Sequence, residues 1–262
     1  MTLQAITTLL DAEFHPEYQE SYDNAGFLLG DPDTECTGAL VALDLTPAVI
    51  DEARQRGVNL IVTHHPFIFS GIKRITPTDS TGRMIYSLIQ NHLAAYAAHT
   101  NLDNLPYGVN AILGQVLGID DCHILRPLEG HSSTDIGAGM IGTLPYPMPT
   151  EAFLEQVKTC LGPPILRISD IASPVVSRVA FCGGAGNFLI GDAIRQGADI
   201  YLTGDMKYHD FQRAEGRITL VDIGHFESEQ FSKQLIYSII SKKISNFACL
   251  ISEQGRSFVS YI

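Results

Sequence analysis

A chain of 262 residues, 45% of them apolar, has enough material to bury one large core or two smaller ones. Its formal net charge of −12 argues against a general nucleic-acid or anionic-membrane binder, since both need basic surface to neutralise phosphate. It leaves room for a small anionic substrate wherever local metal charge outweighs the global field.

Residues 1–14 (MTLQAITTLLDAEF) read as an amphipathic helix, without the basic start and long apolar run of an export signal. Asp23-Asn24-Ala25-Gly26 is a turn signal. The apolar run 39–44 predicts a buried strand. Thr46 and Pro47 then open a helix as cap and first-turn residue, Gly57 closes it, and 58–63 is the next strand. Strand, helix and strand within about 25 residues make a βαβ unit and hence a parallel sheet. The rhythm continues with helix 81–92, strand 93–98 and helix 106–118, ended by Gly118. The proline-rich stretch 143–150 interrupts it before helix 150–161. A second βαβ unit follows: strand 177–182, a glycine-rich loop, helix 187–196, Gly197 and strand 199–203. Helix 205–215, strand 218–223, helix 225–242 and strand 247–251 complete the order, with 257–261 as a further strand candidate. No stretch approaches the roughly 20 apolar residues of a membrane span. The five cysteines are scattered without a CxxC pair, which reads as reduced thiols in a cytoplasmic protein.

A faint internal repeat runs through this pattern. Residues 53–63 (ARQRGVNLIVT) align without gaps on 193–203 (AIRQGADIYLT). Any two βαβ units converge on helix, glycine and apolar strand, yet the register favours two related α/β lobes over one long sheet. The first copy runs on into His64-His65, the second into Gly204-Asp205.

Polar groups follow three of the predicted strands: His64-His65-Pro66 after 58–63, His99 to Asp103 after 93–98, and His225 to Glu229 after 218–223. The carboxyl edge of a parallel sheet is where ligands bind in open α/β folds, so all three are expected at one sheet edge. Imidazole and carboxylate suit Zn, Fe, Mn, Co or Ni. His225 and Glu229, four apart at a helix start, share one face. Asp103 has two oxygens and can bridge two ions. Two adjacent histidines on a regular strand point to opposite faces, but at a strand end beside Pro66 both can approach one centre. Taken singly, each group has a plainer reading: loop surface for the histidine pair, a turn former for Asp103, a solvated helix face for Glu227 and Glu229. Together they mark His64, His65, Asp103, His225 and Glu229 as candidate metal ligands. Five donors for two ions leave positions open for water or substrate, which suits metal-assisted hydrolysis.

The segments SYDNAGFLLG (21–30), VTHHP (62–66), AHTNLD (98–103), CGGAG (182–186), LTGDMKYHD (202–210) and DIGHFESE (222–229) resemble, in order and over almost the whole chain, the dinuclear-metal family of GTP cyclohydrolase I type 2 homologs. The resemblance implies those five residues as ligands of two divalent ions. It also implies a mixed α/β fold of two related lobes with the dinuclear site in the cleft between them, a ring-like homohexamer, and the short form without an inserted middle domain. On that basis the domains are 1–126 plus 222–262, holding the metals, and 127–221. The family name implies a nucleotide substrate and a GTP ring opening with release of formate. A metal-dependent phosphoesterase and a non-catalytic metal-binding regulator or scaffold are the alternatives. Tyr208 departs from the second histidine that many members carry beside the one at 209.

Several residues are open to two readings. The 182–186 loop either packs strand tightly against helix or cradles a phosphate with its N–H groups. Asp205 is a helix-cap candidate. Lys207 and His209 face either solvent or the metal cleft. His99 either donates to a ligand carboxylate or acts as an acid–base group. Asp44 ends its strand beside the same edge.

Overall fold

The computed structural model describes residues 1–262 and shows a mixed α/β chain with two mixed sheets. In chain order its elements are α1 (Leu3–Phe14), β1 (Gly26–Leu29), β2 (Ala39–Ala42), α2 (Pro47–Arg56), β3 (Leu60–Thr63), α3 (Ser80–Gln90), β4 (Ala94–Ala97), α4 (Thr100–Asp103), α5 (Val109–Leu117), β5 (Asp120–Pro127) and β6 (Gly137–Pro149). They continue with α6 (Thr150–Leu161), β7 (Arg167–Ile168), β8 (Val175–Phe181), α7 (Ile190–Arg195), β9 (Ile200–Thr203), α8 (Tyr208–Gln212), β10 (Thr219–Asp222), α9 (His225–Glu229), α10 (Ser232–Lys243) and β11 (Cys249–Ile251). No helix is long and apolar enough to cross a membrane.

The chain divides into two compact units, 1–102 with 232–256 and 103–231 with 257–262. These bounds differ from the expected 1–126 plus 222–262 and 127–221. The reason is strand pairing: β5 lies antiparallel to β6, and β10 lies parallel to β9, so both belong to the second sheet. The C-terminal segment does return to the first unit, where β11 runs parallel to β2.

In the first unit the strand order is β1-β4-β3-β2-β11, all parallel except β1 at the edge. Period-two alternation sends Leu40, Ala42, Ile61 and Ala95 to a core shared with Val49, Ile50 and Ala53 of α2 and Leu88 of α3. On β4 Tyr96 points the other way, donates its hydroxyl to Asp11 of α1 at 2.8 Å and lies near Phe14.

In the second unit the order is β5-β6-β8-β9-β10-β7, with β8, β9 and β10 parallel. Alternation again sorts two cores. Met140, Val179, Phe181, Ile200, Leu202 and Val221 join Phe153 and Val157 of α6. Ile141, Ala180, Tyr201 and Leu220 join Ile190 and Ala193 of α7.

Four expectations fail locally. The proline-rich stretch is not a break but the far half of β6. Its pairing with β5 ends at Thr143, and Pro145, Pro147 and Pro149 recur at every second position, so the missing N–H groups fall on one side of the strand. The helix expected over 225–242 is two helices: Phe231 packs on the second unit's core, whereas α10 packs on β2 and β11 of the first. The helix expected over 205–215 is the short α8, and 257–261 forms no strand.

The internal repeat occupies equivalent places in the two units. Strand β3 is flanked by β2 and β4, and β9 by β8 and β10. Gly57 and Gly197 end the preceding helices at φ 70° and 71°. In both copies the N–H after the glycine bonds back to an aligned alanine carbonyl, Val58 to Ala53 at 3.1 Å and Ala198 to Ala193 at 3.0 Å. The aligned Asn59 and Asp199 use a side-chain oxygen in the same way, accepting from the N–H of Thr37 and of Ser177 respectively.

Candidate metal centre

Strand β3 delivers His64 and His65 at its carboxyl end, where the chain leaves the pleat, so the two rings no longer oppose one another. Their centroids are 4.9 Å apart and tilted by 45°. His64 is fully buried, and its Nδ1 donates to the carbonyl of Ala98 at 2.7 Å. His65 Nδ1 donates to Asp44 Oδ1 at 2.7 Å. Each oxygen accepts, so Nδ1 carries a proton and Nε2 is the ring nitrogen left to face a metal.

His99 joins them. Its ring lies 5.3 Å from that of His64 and 5.6 Å from that of His65, and the three residues offer ring nitrogens all within 4.8 Å of one another. His99 Nδ1 donates to Asp23 Oδ1 at 2.8 Å, so its partner is not a carboxylate among the five candidates. The Asp23 side chain is wholly buried. Burial alone would raise its pKa, but hydrogen bonding and charge from His99, the Thr100 hydroxyl and the Asn24 N–H overcome that and hold it at about 2. Asp23 reads in sequence as a turn residue; its role was hidden because its partner lies 76 positions along the chain. Phe69 sits edge-on to His99 at 6.2 Å and also touches Tyr22. A cavity of about 310 Å³ along the same loop is lined by Phe67, Phe69, Ile72, Arg74 and Thr81.

The second unit supplies the other three candidates. Strand β10 leads through Gly224 into the single turn of α9, which places His225 and Glu229 on one face with Nε2 and Oε2 3.0 Å apart. His225 Nδ1 donates to Asp205 Oδ2 at 2.8 Å. Asp205, at φ 55°, therefore orients a histidine; α8 starts after Lys207, whose N–H is accepted by Asp210. Glu227 and Glu229 are both buried, so neither belongs to a solvated face. Asp103 brings a carboxylate oxygen within 4.8 Å of one from Glu229, and its own carbonyl accepts from Asn110 at 3.2 Å. The five residues thus follow strands of two sheets, not one sheet edge as expected.

Burial opposes a charge on His225, but hydrogen bonds to Asp205 and Glu229, with the charges of both carboxylates, outweigh it and raise its pKa to about 11 in the metal-free chain. An incoming ion must expel that proton. Metal binding at pH 7 is therefore expected to release about one proton from this group, and affinity to rise about tenfold per pH unit between pH 6 and 9. Calorimetry in buffers of different ionisation enthalpy reads the proton directly; proton-neutral binding would contradict it.

The 182–186 loop is no phosphate cradle, because its N–H groups are consumed internally. Gly183 donates to Asn110, Gly184 to the Ser228 hydroxyl, and Gly186 to the Thr203 hydroxyl. It is small for another reason: a Cβ on Gly184 would lie 2.2 Å from Glu229 Oε1. Tyr208 and His209 are exposed, with their rings edge-to-face at 5.2 Å.

Residues 1–256 match the family model described as Duf34/NIF3 (NGG1p interacting factor 3). A Clostridium perfringens protein named "GTP cyclohydrolase 1 type 2 homolog" is 35% identical over 232 residues, 87% of each chain. Among solved structures, a Staphylococcus aureus hypothetical protein superposes with a TM-score of 0.91 at 30% identity, over 100% of this chain and 99% of its own. Reduced HcgD from Methanocaldococcus jannaschii superposes with a TM-score of 0.80 at 25% identity, over 97% and 98%.

Proposed function

Since this chain belongs to the Duf34/NIF3 (NGG1p interacting factor 3) family, we propose that it binds two divalent metal ions through His64, His65, Asp103, His225 and Glu229 and hydrolyses a nucleotide. The observation that carries the reading is the orientation of the imidazoles. His64, His65 and His225 each commit Nδ1 to an oxygen, of Ala98, Asp44 and Asp205, which fixes the ring and turns Nε2 into the donor atom. The nitrogen and carboxylate donor set fits Zn, Fe, Mn, Co or Ni. When bound, such ions polarise a substrate and provide a nucleophile at neutral pH.

The residues around the histidines supply the rest. Phe69 and Tyr22 offer flat apolar surface for a heterocyclic base, and Arg74 a charge for a phosphate. The names of the curated relatives direct the reaction to GTP. In that reaction one water adds to the guanine carbon between the two five-ring nitrogens and breaks one of its C–N bonds to leave a formamide, and a second water hydrolyses the formamide, so that formate leaves and both ring nitrogens end as N–H. Assembly into a ring of six cytoplasmic subunits is part of the same proposal, supported by exposed apolar side chains at Tyr146, Phe258 and Val259.

The test counts metals in protein purified without chelators, then follows formate release from GTP and product release from a generic phosphodiester, in wild type and His64→Ala. Formate release lost in the variant is the expected result. Phosphodiester cleavage instead would make the chain a phosphoesterase, and metal binding without turnover a regulator or scaffold. Metal content near zero would sink the reading.

A further inference from the structure

We propose that the cavity in the loop between β3 and α3 reads the guanine base of the nucleotide, with Asp79 as the residue that selects guanine over adenine. The inference rests on the nucleotide reading above and deepens it. The cavity measures about 310 Å³, the lower end for a small-molecule pocket, which suits a base with its sugar rather than a whole triphosphate. Phe67, Phe69 and Ile72 give it apolar walls, and Asp79 and Arg74 are the charged groups of its lining.

Asp79 caps α3. Its Oδ1 accepts the Gly82 N–H at 2.7 Å, which fixes the carboxylate at the cavity wall and leaves Oδ2 for a ligand. An ionised carboxylate only accepts hydrogen bonds. Guanine presents two adjacent donors on one edge, the ring N1–H and the N2 amine. Adenine presents a bare N1 lone pair at the same place, which a carboxylate repels. A site built to pair with a donor rejects the analogue that lacks it far more strongly than an apolar pocket can. Arg74, on the same lining, keeps its role toward the phosphates.

This grip also orients the base. The reacting carbon of the five-membered ring lies at the end of guanine opposite the N1–H edge. Phe69 both lines the cavity and meets His99 edge-on at 6.2 Å, so a base stacked on Phe69 lies beside the histidines. The loop is held at both ends. The Ile68 carbonyl accepts from Asn24 at 2.7 Å, and Gly82 packs so closely on the Thr76 carbonyl that a Cβ would find no room. Walls fixed in advance reduce the ordering cost of binding.

The experiment measures binding of GTP and of inosine, xanthosine and adenosine triphosphates by calorimetry, on the full chain stripped of metal with a chelator so that nothing turns over. Wild type is expected to bind GTP about 10–100-fold more tightly than inosine triphosphate, which lacks the N2 amine, because a hydrogen bond to a charged group is lost. Adenosine triphosphate is expected to bind more weakly still. Asp79→Asn turns one acceptor into a donor and is expected to prefer xanthosine triphosphate, whose O2 replaces the amine. Asn caps a helix as well as Asp does, so the urea midpoint is expected to hold. Phe69→Ala is expected to weaken all four by about tenfold without changing their order. Equal wild-type affinity for GTP and either inosine or adenosine triphosphate overturns the inference with no variant needed. A folded Asp79→Asn that keeps the wild-type order overturns it as well. In both cases formate release from GTP by the metal-loaded wild type leaves the proposed function standing. If wild type neither binds GTP nor releases formate from it, both fail.

Discussion

Replacing Glu229 with alanine is expected to lower metal content from two ions per chain to one and to cut formate release by on the order of a hundredfold or more. Glu229 is 3% exposed, accepts from His225 Nε2 at 3.0 Å, and lies within 4.8 Å of the Asp103 carboxylate. A buried carboxylate and a half-buried one this close repel one another unless a cation lies with them, so Glu229 is placed where charge is useful only to a cation. Glu229→Gln distinguishes this from packing. It keeps the volume and a hydrogen-bond acceptor but not the charge, and it is expected to lose the metal as fully as alanine does while unfolding in urea near the wild-type midpoint. Wild-type metal content in Glu229→Gln would show that Glu229 is not a ligand.

The second large effect is expected at a residue with no functional group. Gly184 sits at φ +60°, where a side chain is strained, and its Cβ would lie 2.2 Å from Glu229 Oε1. The carboxylate cannot step aside without abandoning His225. Backbone strain and overpacking together predict a loss of about 2–4 kcal/mol for Gly184→Ala, along with the metal that Glu229 serves. Gly197→Ala is the control. Its φ of +71° is equally strained, but nothing lies within 4 Å of the added carbon. It is expected to lose only about 1 kcal/mol and no metal. Urea unfolding and metal analysis on the pair separate strain from collision. Gly184→Ala with full metal content would refute the argument.

The elements most legible in the sequence are those whose ends are written locally. Thr46 and Pro47 open α2, Gly57 and Gly118 close α2 and α5 at positive φ, and the apolar runs at 39–44, 58–63 and 199–203 are buried strands. What stayed hidden depends on distant pairing. Residues 120–149 carry no clean alternation, because β5 is largely exposed along its first half and β6 is interrupted by prolines; only the pairing of β5 with β6 and of β6 with β8 makes strands of them. The division of 225–242 depends on which core each half meets. The candidate site follows the same rule. Histidines and carboxylates past strand ends identify themselves by type, whereas Asp23, Ala98 and Asp205 are recognised only once the fold sets an oxygen beside a ring nitrogen. Asp44, at the end of its strand beside that edge, offers the same readings in sequence as His99, and the fold shows it as the acceptor of His65 Nδ1.

The repeat has a consequence for anyone redesigning this centre. The position matching His64 in the second copy is Gly204, where a Cβ would lie 2.8 Å from the backbone nitrogen of His225 and 2.9 Å from the Gly184 carbonyl. The second copy therefore did not merely lack a histidine there. The space is filled by the backbone of His225. Grafting His-His onto 204–205 to restore symmetry would displace His225, a proposed ligand, and remove the Asp205 that orients it. The two halves are not interchangeable modules; one carries its candidate donors on the repeat itself, and in the other the matching place is taken by a segment from elsewhere in the chain.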